Sequence, residues 1–419
     1  MDAKKQLLRL IDKEKDEVVA FLQSLIRFPS VTGKEKDIQS FIAKRLRDMD
    51  LQVDVWEPDL KELKKHPGYV PVEMNYKDRP NVVGIYKGGK GGRSLLFNGH
   101  VDVIPAEPRT AWSHDPWKGE IDGGKVYGRG ASDMKSGLAA MTTALNFVLR
   151  SGVKLKGDVI LEYVVDEEFS GHGTLDCILK GYKADAGISC EAGDLEVQPA
   201  ATGSMWFEIE VPGKSASMSR IWEAVSAVEK GYKIYGAVSD MQTIRLMEKR
   251  HPLYQDPRGS LACFVGMFQA GTYPSSPPDS CIIKGRMGVL PNEDPKEVKD
   301  SFTKHIRCVA ETDPWLRNHL PEVKFTGYYA EPAEIVADHP ICKVVSKAYE
   351  ETTGMKPILK GHEGAADTRF LIRYGSTPTV IFGPGTITQM HATDEWVKIE
   401  DLITATKVLA LTIIDWCGS

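Results

Sequence analysis

Two apolar runs constrain the fold of this chain more than anything else in it. Asp158 to Val165 (DVILEYVV) is continuous and β-rich, the pattern of a strand covered on both faces. Leu95-Leu96-Phe97 is a second run, closed by Asn98-Gly99 and then by His100-Val101-Asp102. Leu138 to Leu149 lies between them and carries apolar residues at helical spacing. Strands alternating with helices predict a mixed α/β sheet. In such sheets ligands gather at the carboxyl ends of the strands, where His100 stands. His100 and Asp102, two apart on an extended chain, face the same side, so Asp102 is a candidate to orient the imidazole. Downstream, the glycines of Gly128-Arg129-Gly130-Ala131-Ser132-Asp133-Met134-Lys135-Ser136-Gly137 permit a tight path that brings Asp133 beside His100. Taken alone, a His-x-Asp phrase is better explained by an ordinary polar loop after a strand.

The remaining chain predicts a second layer of organisation. Val18, Phe21, Leu22, Leu25 and Ile26 mark a helix that stops at Phe28-Pro29. A second helix runs through Ile38, Ile42 and Leu46, and Leu51–Trp56 and Asn81–Tyr86 read as strands. Residues 57–80, with Lys61, Lys64, Lys65 and several prolines, read as a surface excursion. At Gly203 the pattern changes: strand from Trp206, helix from Ala224, strands from Leu261 and Cys281, and a helix from Asn292 opened by Pro-Asn-Glu-Asp-Pro. This predicts a small two-layer α/β domain, residues 203–325, inserted into a larger one formed by 1–202 and 326–419. Ile341–Tyr349, Thr377–Phe382 and Leu402–Trp416 return as helix, strand and helix of the larger domain. At 419 residues, two domains are the expected number.

Charge and composition exclude several classes of function. A net charge of −5 offers no footprint for nucleic acid or an anionic membrane. No apolar run spans a bilayer, and the N-terminus leads into an amphipathic helix rather than an apolar secretory segment. Seven cysteines without close spacing argue against a disulfide framework, and a cytoplasmic location is expected. Nothing resembles a nucleophile phrase such as GxSxG, and Cys190 reads as a packed strand residue.

Three further phrases carry chemistry: Asp166-Glu167-Glu168 after a buried strand, Ser189-Cys190-Glu191 at the end of another, and Gln389-Met390-His391. In this order, with His100 and Asp133, they resemble the cocatalytic zinc family of aminoacylase, acetylornithine deacetylase, succinyl-diaminopimelate desuccinylase and glutamate carboxypeptidase. Gly203-Ser204-Met205-Trp206-Phe207 and Tyr273-Pro274-Ser275-Ser276 carry a closer likeness, to the deacylase branch that includes an N-formyl aminomethylpyrimidine deformylase. The resemblance implies a mixed-sheet, zinc-peptidase-like catalytic domain, a lid through which homodimers form, and a cis peptide after Asp133. It implies two zinc ions, with cobalt or manganese able to substitute, since the ligands are nitrogen and oxygen without thiolate. Asp133 would bridge them, His100 and Glu191 completing one site, Glu168 and His391 the other. Glu167 would act as general base toward a metal-bridged hydroxide and then as proton donor to the leaving amine.

The activity implied is hydrolysis of the linear amide of a small N-acyl or N-formyl compound. Alternatives are a metallo-exopeptidase of the carboxypeptidase or dipeptidase type, and a catalytically silent family member acting as a binding protein. The sequence departs from the family pattern in the lid. Ser217 stands where many relatives have a histidine, and Gly288 where several have an arginine, for which Arg286 on the same strand face is a candidate substitute. Asp367 is a candidate contact for a substrate amine, with helix capping the competing role. His172, between two glycines, reads as a helix-start or solvent residue rather than a ligand. Asp394 and Glu395 are near enough to His391 to support it, or else are solvated.

Overall fold

The computed structural model describes residues 3–419, which divide into two compact units. The first comprises residues up to Ala200, Glu334–His362 and Ala366–Ser419; the second is Ala201–Ala333 with Glu363–Ala365.

The first unit is built on a six-stranded mixed sheet, as the alternation of strands and helices predicts. Its order is Gln52–Trp56, Asn81–Tyr86, Val159–Val164, Leu95–His100, Ala186–Ser189, Thr379–Ile381. The last four strands run parallel and the first two pair antiparallel. Every residue of Val159–Val164 and Leu95–His100 is buried because helices cover both faces. Phe97, Leu161 and Val82 pack into the core containing the helices Lys15–Ile26, Lys36–Asp48, Lys135–Arg150 and Ile399–Cys417. Leu96, Ile160 and Val164, one residue out of phase, pack with Cys177 and Leu371 of the helices His172–Leu179 and Thr368–Arg373. The continuous apolar run is thus the signature of a strand between two helical layers.

Residues 57–80 are not the plain surface excursion expected from their lysines. They hold a short helix, Leu60–Leu63, and bury Leu63, Val70, Tyr76 and Arg79. The lysines do lie at the surface, but the apolar and aromatic residues between them are drawn into the unit.

The second unit contains a five-stranded antiparallel sheet in which Gly203–Pro212 is paired by Ser280–Val289 and Glu322–Lys324, with Cys263–Ala270 at the far edge. Met205, Phe207, Ile209 and Val211 alternate inward against the helices Ala227–Glu248 and Pro295–Glu311. Asp294 caps the second of these helices by accepting the Lys296 amide, with Pro295 at its first position. The opposite face of the sheet exposes Trp206, Phe264 and Met267. Among the described residues no helix is long and apolar enough to cross a membrane, and all seven cysteines are free thiols.

Candidate active site

The parallel strands of the first unit end together, and their carboxyl ends carry the side chains that the sequence singled out. His100 closes its strand, Glu167 and Glu168 follow Val164, and Glu191 follows Ser189. His391 returns on the loop after Thr379–Ile381 with a positive φ of 62°, and Asp133 stands just before the helix Lys135–Arg150.

Asp133 divides its two oxygens between two imidazoles. Its Oδ1 lies 3.1 Å from His100 Nε2, and its Oδ2 lies 3.3 Å from His391 Nε2. Glu191 Oε1 is 3.5 Å from His100 Nε2, and Glu168 Oε2 is 2.8 Å from His391 Nε2. Two triads of possible ligand atoms result, His100–Asp133–Glu191 and Asp133–Glu168–His391, sharing Asp133. The Asp133–Met134 peptide is cis.

The loop bearing Asp133 is held by a residue that the sequence left undecided. Glu395 is fully buried and accepts the amides of Gly130, Ser132 and Asp133 at 2.9, 2.7 and 2.9 Å, together with Arg129 Nη1 at 2.8 Å. It is not solvated, and its partners lie on the Asp133 loop rather than at His391. Its neighbour Asp394 accepts the amides of Ser113 and His114 instead.

Asp102 takes a different part from the expected one. The hydrogen-bond partner of His100 Nδ1 is the Asp102 backbone carbonyl at 2.9 Å, while the carboxylate lies 3.7 Å away. That carboxylate instead accepts the amides of Glu167 and Glu168, at 3.2 and 3.3 Å, and the Thr32 hydroxyl at 2.9 Å. The geometry still places the proton on His100 Nδ1 and leaves Nε2 facing the cluster.

Electrostatically the site is a crowd of carboxylates with few counter-charges. Against the effect of burial, hydrogen bonds from His100 and His391 hold the Asp133 carboxyl well below the usual range. Hydrogen bonds to Asp133 and Glu168 pull the His391 imidazolium up to about 10. Burial pushes Glu167 well above the ordinary carboxyl value, with Asp367, Glu191 and Glu168 adding to the rise and His100 opposing it. Glu191 Oε2 is buried without a hydrogen-bond partner. The Glu167 side chain accepts no hydrogen bond from the described residues, only its amide being engaged. An orphaned buried carboxylate oxygen beside converging imidazoles and carboxylates is the arrangement that a divalent cation satisfies.

The other expected residues are placed as follows. Asp367 precedes the helix Thr368–Arg373 but makes no capping hydrogen bond. Its Oδ2 accepts the Thr174 hydroxyl at 2.6 Å and its Oδ1 is buried without a hydrogen-bond partner, so the capping role is corrected: Asp367 has helical backbone angles, and neither oxygen bonds an amide of the helix start. His172 begins its helix but is fully buried, stacked on Tyr69, with Nε2 accepting the Val70 amide at 3.1 Å, so the solvent alternative does not hold. In the second unit, Ser217 is exposed with its hydroxyl 3.1 Å from that of Ser219, and Arg286 Nε donates to Ser204 Oγ at 2.8 Å. Sequence reasoning missed Arg79, Glu35 and Tyr76, which gather beneath Asp166. The apolar-strand signal does not reach loop residues whose partners are far along the chain.

Comparison with known proteins decides the family. Residues 96–415 match Peptidase family M20/M25/M40. The chain belongs to this family. It is therefore a hydrolase of carbon–nitrogen bonds, and the resemblance noted in its motifs is carried by the whole chain. An N-formyl-4-amino-5-aminomethyl-2-methylpyrimidine deformylase from Bacillus subtilis is 28% identical over 98% of this chain and 97% of its own length. A succinyl-diaminopimelate desuccinylase from Rhodospirillum centenum is 30% identical over 78% of this chain and 82% of its own. Among solved structures, a di-peptidase from Saccharomyces cerevisiae shares the fold, with a TM-score of 0.75 at 16% identity over the full length of both chains.

Proposed function

We propose that this M20 hydrolase cleaves the linear amide of a small N-acyl or N-formyl compound in a metal-dependent reaction. The observation that carries the reading is the division of the Asp133 carboxylate between His100 and His391, each imidazole joined by a further carboxylate, Glu191 and Glu168. His100, Asp133 and Glu191 would hold one divalent cation, and Asp133, Glu168 and His391 a second; the nitrogen and oxygen donor set suits zinc, with cobalt or manganese as substitutes. Cations bound there supply Lewis acidity, polarising the amide carbonyl and acidifying water.

The chain's own residues do the rest. Glu167 accepts a proton from the attacking water and delivers it to the amide nitrogen as the carbon–nitrogen bond breaks, yielding a carboxylic acid and an amine. Asp102 holds Glu167 and Glu168 by their amides, and its carbonyl sets the His100 tautomer. Deformylase and desuccinylase relatives support an amide other than a peptide. The absence of an arginine at Gly288 weighs against an exopeptidase that clamps the substrate carboxylate. Ser217, Arg286 and Asp367 remain the substrate-contact candidates. A silent binding role is disfavoured because all five proposed ligands converge.

The second unit is assigned as a lid that joins two copies of the chain. The edge strand Cys263–Ala270, with Phe264 and Met267 exposed, and the helix Ala227–Glu248, with Tyr232, Tyr235 and Met247 exposed, offer the apolar surface. Free thiols throughout favour a reducing, cytoplasmic setting. Metal analysis of the purified protein, with hydrolysis of N-formyl, N-acetyl, N-succinyl and dipeptide substrates, tests the function. Bound zinc with preference for an N-formyl or N-acyl amide supports it; preference for dipeptides moves it to the exopeptidase alternative.

A further inference from the structure

The turn Asp166-Glu167-Glu168 is gripped from two sides, and only one grip lies within the cluster above. On the cluster side, Asp102 accepts the amides of Glu167 and Glu168. On the other side, Asp166 adopts a φ of 72°, in the left-handed region that disfavours a residue with a side chain. Its carbonyl accepts the amides of Ser170 and Gly171 at 2.9 and 2.7 Å, closing the turn. Its carboxylate is fully buried and receives Arg79 Nη2 at 3.1 Å on one oxygen, and the Tyr76 hydroxyl at 2.8 Å and Ser170 Oγ on the other.

Arg79 is in turn locked in place. Its Nε and Nη2 donate to the two oxygens of Glu35 at 2.8 and 2.6 Å, and its Nη1 to the Asn75 carbonyl at 3.0 Å. Glu35 belongs to the segment that begins at Ser30. Ser30 Oγ bonds the Val101 carbonyl at 2.6 Å, and Thr32 Oγ bonds Asp102. One segment therefore ties down both grips. A planar guanidinium can serve two carboxylates at once; an ammonium on a flexible stem cannot reproduce that fork. A buried ion triad is a poor source of net stability, and its best-attested use is to specify one geometry.

We infer that Arg79 is a positioning residue for Glu167: locked to Glu35, it holds Asp166 and thereby fixes the turn that aims the general base. The inference rests on the reading of Glu167 given above. Its test compares Arg79→Gln, Arg79→Lys and the shape-preserving Glu35→Gln with the unaltered, metal-loaded protein. The measurements are kcat, KM, bound metal, melting temperature and hydrogen–deuterium exchange of the 165–171 segment. Residues that orient an active-site side chain through hydrogen bonds are worth about 10–100-fold in activity. The expected result is a fall of that size in kcat, with KM and metal content unchanged and faster exchange confined to that segment. Arg79→Lys should fail to restore either. Should Arg79→Gln not fold, Glu35→Gln carries the test. Wild-type kcat per folded molecule with unchanged exchange at 165–171, whatever the melting temperature does, would overturn the inference. A parallel Glu167→Gln variant separates the two ideas. If it retains turnover, the general-base reading fails and the positioning inference falls with it. If it is inactive while the Arg79 and Glu35 variants behave as wild type, the positioning inference fails alone.

Discussion

Two clusters of buried charge meet at the Asp166–Glu168 turn, and they differ in completeness. Around Arg79, the guanidinium is matched to Glu35 and Asp166, and Tyr76 and Ser170 fill the remaining acceptor sites. Around Asp133, four carboxylates including Glu167 face two imidazoles, and one oxygen of Glu191 has no partner. The first cluster is buried throughout; in the second Glu168 is half-buried and His391 exposed, and its pairing is incomplete as well. A cluster that satisfies itself gains nothing from a ligand, whereas one left short of positive charge gains most from a cation. The difference separates a device that sets geometry from one that does chemistry.

The comparison can be broken most directly by removing metal. Exhaustive chelation should abolish turnover and lower the melting temperature, both restored by zinc. At a thousand-fold excess over Kd, a bound ion stabilises by about 4 kcal/mol. Turnover that survives chelation would place the unmet charge outside the reaction. Next in size, Glu167→Gln should lower kcat by about 10²–10⁴-fold while metal analysis still finds the ions bound, because the residue is assigned to proton transfer and not to ligation.

Arg79→Met should cost about 3–5 kcal/mol in denaturant unfolding, because it strands Glu35 and Asp166 as buried charges without a cation. A much smaller loss would mean that the second cluster is not complete in the sense described. Glu395→Gln, which weakens the cradle of three amides and Arg129, should reduce metal affinity by about 10–100-fold, read by competition with a chromogenic chelator.

A pH dependence is expected at the edge of the paired cluster. Burial, helped by the Arg369 charge, lowers the His172 imidazole from 6.5 to about 4. Between those values the unfolded chain binds a proton that the folded chain refuses. The stability contribution is therefore complete above pH 6.5 and is lost as pH falls toward 4, an effect on the order of 3 kcal/mol. His172→Gln should flatten that part of the stability curve in denaturant titrations.

Much of this was legible in the residues themselves. DVILEYVV declares a strand between two helical layers because burial on both faces leaves no polar alternation to hide it. His100, Glu168 and Glu191 could be placed at one edge because parallel strands end on the same side. The buried side of residues 57–80 was not legible. Tyr76 and Arg79 sit among charged and proline-rich neighbours, and what draws them inward lies at Asp166, 87 positions beyond Arg79. Asp102 was misjudged for a similar reason: alternation along a strand places its side chain beside His100, but the turn at Asp166 offers its carboxylate better donors.

By itself, the sequence determined the mixed sheet, its family and the residue types that gather at its carboxyl edge. Those follow from local periodicity and from the chemistry of imidazole and carboxylate. Only the tertiary structure decided which oxygen serves which partner: that Asp133 is shared, that Glu191 is left one bond short, and that Glu35 and Arg79 steady a turn far along the chain. Hydrogen bonds and ion pairs depend on distances of a few tenths of an ångström between segments, which spacing along a chain does not encode.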